Sequence, residues 1–220
     1  MNNRSVKGNM ISGNPAKELI IFAIPMILGN LFQQFYNIAD SVIVGKFLGP
    51  DALAAVGASN SITTLFVMVA IGTGIGCSVI ISQLFGAGRM KDVKSSISTA
   101  LIAIFAFSLI LSTIGFMLSG NILKWMHTPS DVYEEADKYL KIYFLGFAFL
   151  FMYNAFNAVF NALGDSAKPL VFLIFSSVLN IGLDILFVWK FGWGVAGAAW
   201  ATLIAQAVSA IISFIVLIHK

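Results

Sequence analysis

The sequence predicts an all-α membrane protein with six spanning helices, and three observations carry that prediction. Of the 220 residues, 59% are hydrophobic and only 10% charged, with a mean hydropathy of +0.91; soluble domains carry about a quarter charged residues. Six stretches reach the roughly 17 to 25 residues that an α-helix needs to cross hydrocarbon: 19–44, 52–84, 95–118, 139–163, 169–188 and 196–218. Between them lie short turns rich in glycine, proline and charge, the chemistry at which helical hairpins reverse. Residues 1–18 are expected to form a cytoplasmic N-terminal segment and 19–218 the six-helix transmembrane unit, which leaves no room for a soluble domain.

The polar segment Met1–Lys17 precedes a hydrophobic run too long for a signal-peptide core and without a small-residue cleavage site, so the first span is expected to stay in the mature protein. Pro25 lies inside that span, where it removes one backbone hydrogen bond and should bend the helix, as a static kink or as a hinge. The turn GKFLGPD (45–51) should close the first hairpin and GAGRMKDVK (86–94) the second; GDSAKP (164–169) and FGWGVAG (191–197) should close the last two. In the second span Gly72 and Gly76 form a small-xxx-small pair expected to pack within the bundle, and lone Cys77 beside them has no partner for an intrachain disulfide. The longest connection, 119–138, contains Thr128 as a candidate N-cap, Pro129 at the first helical position and Asp131 completing a capping box. It reads as an external helical extension leading into the fourth span.

The net charge is +3, but the thirteen basic residues are spread over the loops, so no nucleic-acid partner is expected. With the N-terminus inside, Arg4, Lys7, Lys17, Arg89, Lys91, Lys94, Lys168 and Lys220 fall on one side; Lys46, Lys124, Lys138, Lys141 and Lys190 fall on the other. This imbalance places both termini in the cytoplasm. Trp125, Trp189, Trp193 and Trp200 then sit near the outer boundary, where amphipathic rings favour the interface.

Asp40 and Asp184 lie inside these apolar segments, with no lysine or arginine in either interior. A carboxylate at mid-helix costs about 2.5 to 3.5 kcal/mol on insertion scales; such groups face protein or water and handle ions, protons or substrate. In the first span Asn30, Gln33, Asn37 and Asp40 recur at intervals of three, four and three, with Gln34, Tyr36 and Ser41 beside them. The fifth span repeats the pattern with Ser177, Asn180 and Asp184, the sixth with Thr202, Gln206, Ser209 and Ser213, and the fourth with Asn154, Asn157 and Asn161 next to Tyr153. Four polar stripes predict a shared cavity, because amides facing lipid would lack partners. At about 1.5 Å per residue Asp184 lies roughly 22 Å above the inner boundary, level with Asp40 and Thr202, whereas Asn157 and Asn161 lie deeper. Two carboxyls at that depth could share one proton, and oxygen ligands could equally hold a sodium ion. His127 and His219 are too few and too separated for a metal site. The GDSAKP and GAGR turns resemble no phosphate cradle, so no cofactor is expected and an ion gradient must supply the energy.

The run IPMILGNLFQQFYNIADSVIVGKFLGPDALAAVG (Ile24 to Gly57), the loop FGAGRMKDVK (Phe85 to Lys94) and the segment NALGDSAKPLVF (Asn161 to Phe172) together resemble the multidrug and toxic compound extrusion (MATE) transporters. An acid in the first span and a second in the fifth, preceded by Asn180, is similar to the branch named for the DNA-damage-inducible protein F. The resemblance implies a cation-coupled antiporter of the plasma or inner membrane, driven by protons or sodium ions and exporting amphipathic, often cationic compounds by alternating access. It also implies that Asp40, Asn180, Asp184 and Thr202 form the cation or proton site, with Tyr36 and Asn157 in the surrounding network and Pro25 at the bend of the first helix. Family members have twelve spans in two six-helix lobes, so this chain corresponds to the N-terminal lobe of a 6+6 transporter. A missing C-terminal half or another chain should supply the second lobe, and the end at His219 and Lys220 suits a truncation before the interlobe loop.

Two other function classes fit less well. A lipid or oligosaccharide-lipid flippase shares the bundle architecture but needs cationic residues inside the cavity, and the interior here is acidic. An intramembrane aspartyl protease could use two aspartates as a hydrolytic dyad, yet NIGLD (Asn180 to Asp184) lacks the Gly-x-Gly-Asp context of that class. The chain is therefore not expected to be an enzyme.

Overall fold

A computed structural model describes residues 15–219; Arg4, Lys7 and Lys220 of the charge argument, and most of the expected N-terminal segment, lie outside the described residues. The described residues form helices α1 (Pro15–Leu48), α2 (Pro50–Gly86), α3 (Met90–Trp125), α4 (Ser130–Leu145), α5 (Phe147–Ala162), α6 (Ala167–Asp184) and α7 (Gly194–Ile218), with a π-helical turn, Ile185–Lys190, continuing α6. Five helices are long and apolar enough to cross a membrane, α6 being counted together with its π-turn; α4 and α5, bent by 52° at their junction, make a sixth when taken as one span.

The reversals are tighter than the sequence pattern indicated. Helical structure runs to Leu48 and resumes at Pro50, so Gly49 alone turns the chain, at φ 91°. Only glycine takes that conformation without strain, and proline suits a first helical position because its missing amide would be unpaired there anyway. The expected capping box on α4 does not form. Thr128 closes α3 instead: its amide bonds the Leu123 carbonyl at 3.1 Å and the His127 amide bonds the Lys124 carbonyl at 3.0 Å, with His127 at φ 55°. That is a Schellman termination, and it leaves Pro129 in the cap position of α4 with no side-chain bond.

The fourth span does not run as one helix. It breaks at Gly146, where a Cβ would come within 2.9 Å of Leu203 Cγ on α7. Ser112 of α3 donates to the Phe144 carbonyl at 2.6 Å, beside the break, and Ser59 of α2 donates to the Ala136 carbonyl at 3.3 Å. Hydroxyls from two neighbouring helices thus reach α4 carbonyls, that of Ser59 lying nearer the Ala55 carbonyl of its own helix at 2.9 Å. Glycines also set the packing of α2, but not the expected pair. A Cβ on Gly72 or Gly76 would meet nothing within 4 Å, whereas on Gly74 it would lie 3.1 Å from the Ala158 Cβ of α5. The close crossing is at Gly74, two residues from each member of the expected pair and on the opposite side of the helix.

The core is aromatic and centred on the α4–α5 break. Phe147 meets Phe66 at 5.0 Å, Phe144 at 5.1 Å, Phe151 at 5.5 Å and Tyr143 at 5.7 Å, all edge-on, in the arrangement that aromatic quadrupoles favour. Phe144 reaches this cluster only because Gly115 of α3 has no side chain; a Cβ there would overlap the Phe144 ring. Gly115→Ala should therefore cost about 1 to 3 kcal/mol by overpacking, seen as a lower melting temperature of the purified chain in detergent. An unchanged melting temperature would mean that the ring yields freely and that this packing does not set stability.

Helix α1 differs from the rest. Among its described side chains only Ile43 and Val44, near its C-terminal end, are buried. Its N-terminal half passes α6 at Gly29, where a Cβ would lie 3.7 and 3.9 Å from Leu173 and Leu170. Pro25 lies within α1.

Candidate cation site

Helix α6 turns Ser177, Asn180 and Asp184 to one buried side, with Asn180 1% and Asp184 0% exposed. Asp184 is the last residue before the π-turn, whose wider bonding appears in the Phe191 amide to Leu186 carbonyl bond of 2.9 Å; π segments interrupt helices chiefly at functional sites. Thr202 of α7 is also buried, and Asn180 Nδ2 donates to Thr202 Oγ1 at 3.3 Å. From α1, Asp40 and, one turn earlier, Tyr36 lie within electrostatic range of Asp184, with Tyr36 also beside Thr202. The structure thus brings together Tyr36, Asp40, Asn180, Asp184 and Thr202 from three helices.

Two ionised carboxylates are acceptors only, so Asp40 and Asp184 bond each other only when a proton sits between them. Asp40 Oδ1, Asp184 Oδ1, Asp184 Oδ2 and Asn180 Oδ1 are all buried without a donor. Acceptor oxygens left this way are costly, and a shared proton or a small hard cation relieves them. Among the described residues no three His, Cys, Asp or Glu side chains gather to hold a metal ion. The donor set is made of oxygens alone, two carboxyls with amide and hydroxyl groups, which is the chemistry that receives a proton or a hard cation.

An apolar layer closes one end of this site. Ile43 and Val44 lie one turn beyond Asp40, Val188 one turn beyond Asp184, and Ala198 and Ala199 one turn before Thr202; with Val56, Tyr139 and Val195 they form one buried cluster. All of these lie toward the α1–α2 and π–α7 turns. Buried polar atoms without partners continue in the other direction: Ser177 Oγ on α6, Ser209 and Ser213 Oγ on α7, and Tyr153 Oη, Asn157 Oδ1 and Asn161 Oδ1 on α5.

Tyr139 was not identified from the sequence. It projects from α4, is 7% exposed, lies within electrostatic range of Asp40 and Asp184, and stacks on Tyr143 at 6.2 Å. The charged stretch before it reads as an extramembrane helix, which hid its depth, although a level count from the outer turn would have placed it beside Asp184.

Other members of the predicted network lie elsewhere. Asn37 turns to the exposed side of α1, bonded to Gln33 at 3.4 Å and to Gln34 at 3.5 Å. With Ile38, Ser41, Val42 and Leu53 it lines an open groove of ≈ 700 Å³ between α1 and α2 instead of the carboxyl site. The stripe in the first span therefore straddles two faces, with Asp40 and Tyr36 turned inward and Asn37 outward. Asn154 donates to the Leu150 carbonyl of its own helix at 2.8 Å. Asn157 faces Tyr153, and Gln206 is half-buried on the Thr202 face of α7.

Comparison with known proteins matches residues 25–186 to the MatE family model. The probable multidrug resistance protein YpnP of Bacillus subtilis (strain 168) is 36% identical over 209 residues, which are 94% of this chain and 47% of that protein. The probable multidrug resistance protein YoeA of the same organism is 34% identical over 205 residues, 91% of this chain and 43% of its own length. Among solved structures, a MOP superfamily transporter from Pyrococcus furiosus Vc1 superposes with a TM-score of 0.89 at 27% identity, covering 97% of this chain and 46% of that one. The chain spans about half the length of the relatives it matches.

Proposed function

Because the chain belongs to the MatE family, we propose that it acts as one lobe of a cation-coupled exporter that exchanges protons or sodium ions for amphipathic, often cationic compounds. A second six-helix lobe, on the same polypeptide or another, completes the substrate cavity. The exporter resides in the cell membrane with both termini cytoplasmic and draws its energy from an ion gradient without a cofactor. The observation that carries this reading is the Asp40–Asp184 pair, whose buried acceptor oxygens have no donor of their own.

The mechanism follows from where those two acids sit. Asp184 belongs to the well-packed α6, whereas Asp40 belongs to α1, most of whose described side chains are exposed. With a proton or sodium ion between them, the pair draws the outer half of α1 onto α6 and α7, and Tyr36 settles on Thr202. Without it, two like charges face each other and push α1 away. The cation thus has different interaction energies with two positions of α1, which is the requirement for a ligand to shift a conformational equilibrium. Neutralising the pair also removes its attraction for a cationic compound, so that cation and substrate exclude each other.

Membrane vesicles containing the protein together with its second lobe should move a fluorescent cationic dye when a proton gradient or a sodium gradient is imposed, and the gradient that works identifies the coupling ion. Dye movement indifferent to both gradients would exclude coupled export.

A further inference from the structure

The α5–α6 turn carries a second contact to α1 that the cation site does not use. Ser166, 6% exposed, donates its hydroxyl to the Phe22 carbonyl at 2.9 Å, a bond between residues 144 apart in the chain. Phe22 lies in the turn of α1 whose hydrogen bonding is already thinned: Pro25 has no amide, so the Ile21 carbonyl lacks its helical donor. A proline and a side chain inserted into the backbone ladder are two established causes of helix bending, and here both act on one turn. From that turn α1 runs along α6, and at Gly29 the absence of a side chain lets it pass Leu173 and Leu170, whose methyl groups would lie 3.7 and 3.9 Å from a Cβ. A directional polar bond thus fixes the N-terminal third of α1 beside apolar packing against α6.

We propose that Ser166 is a positioning residue for α1: its hydroxyl holds the inner third of the helix on the α5–α6 turn, and that bond must break before the segment can swing. This extends the exporter reading above, since it names the contact that opposes the motion which the cation drives at the other end of α1. The two ties sit at opposite ends of one helix. Loading Asp40 and Asp184 fixes the outer end, while Ser166 sets how readily the inner end leaves.

Amide hydrogen exchange on the full chain in lipid nanodiscs tests this without requiring transport. Ser166→Ala should speed exchange at the amides of Ile24 and of Met26, Ile27 and Leu28 by about three- to tenfold, the loss expected for one hydrogen bond. Ser166→Thr, which keeps the hydroxyl, should exchange like the unmodified chain. Exchange in α3 should not change in either variant. Equal exchange of α1 in Ser166→Ala and the unmodified chain would overturn the proposal, as would Ser166→Thr behaving like Ser166→Ala. Acceleration spreading to α3 would also overturn it, because it would show general loosening of the bundle. Failure of the exporter reading would appear separately, as dye movement insensitive to ion gradients with the exchange pattern intact.

Discussion

Asp184→Asn is expected to abolish gradient-driven dye movement while raising the melting temperature of the chain. Asparagine has nearly the same shape but cannot ionise, so the pair can no longer alternate between a loaded, attractive state and an empty, repulsive one. A ligand that makes no difference between two conformations shifts nothing, however well the remaining groups bind it. The stability gain has the same origin. Asp184 Oδ1 and Oδ2 and Asp40 Oδ1 are buried acceptors without protein donors, and at a pH where the pair has lost its shared proton an amide at position 184 supplies a donor, worth about 1 kcal/mol. Loss of activity with gain of stability is the signature of a strained functional group. Dye efflux in vesicles and thermal unfolding of the same preparation check both halves. Full transport in the variant would remove Asp184 from the mechanism, and a fall in melting temperature would show that its carboxyl is paired in a way this structure does not hold.

Phe147→Ala should have the largest effect on folding, about 3 to 5 kcal/mol of destabilisation. The side chain is 0% exposed at the first residue of α5, and its ring touches four other aromatic rings drawn from α2, α4 and α5. These neighbours are large and mutually braced, so they cannot collapse into the space left behind. The bend at Gly146 also relies on this cluster to hold its angle. We expect the variant to be nearly absent from membranes, and any purified remainder to melt far below the unmodified chain. A change below about 1 kcal/mol would mean that the aromatic core is not what fixes the α4–α5 junction.

The sequence revealed these features unevenly, for physical reasons that differ from residue to residue. Spanning helices were readable because hydrocarbon demands long apolar runs, and Asp184 and Asn180 were readable because one rotation of an α-helix places them on the same side. Thr202 followed from counting depth along α7. Periodicity gave Asp40 and Asn37 a common stripe, but the stripe lies at the rim of α1's buried face, and which members turn inward depends on how α6 and α7 pack against it. The Gly146 break was hidden because glycine is tolerated within apolar helices; its cause is the close passage of Leu203 from another helix. Thr128 has the chemistry of an N-cap, yet the termination of α3 uses it first. Ser166 and Phe22 are too far apart in sequence for any local pattern to join them.

The central claim is that Asp40 and Asp184 share one exchangeable cation. Infrared difference spectroscopy on the chain in nanodiscs, recorded on raising the pH and again on adding sodium, observes the carboxyls directly. We predict one protonated-carboxyl band per chain that disappears on alkalinisation or on sodium binding and is missing from the Asp40→Asn, Asp184→Asn double variant. A band that persists in the double variant, or no carboxyl band across the titration, would contradict it.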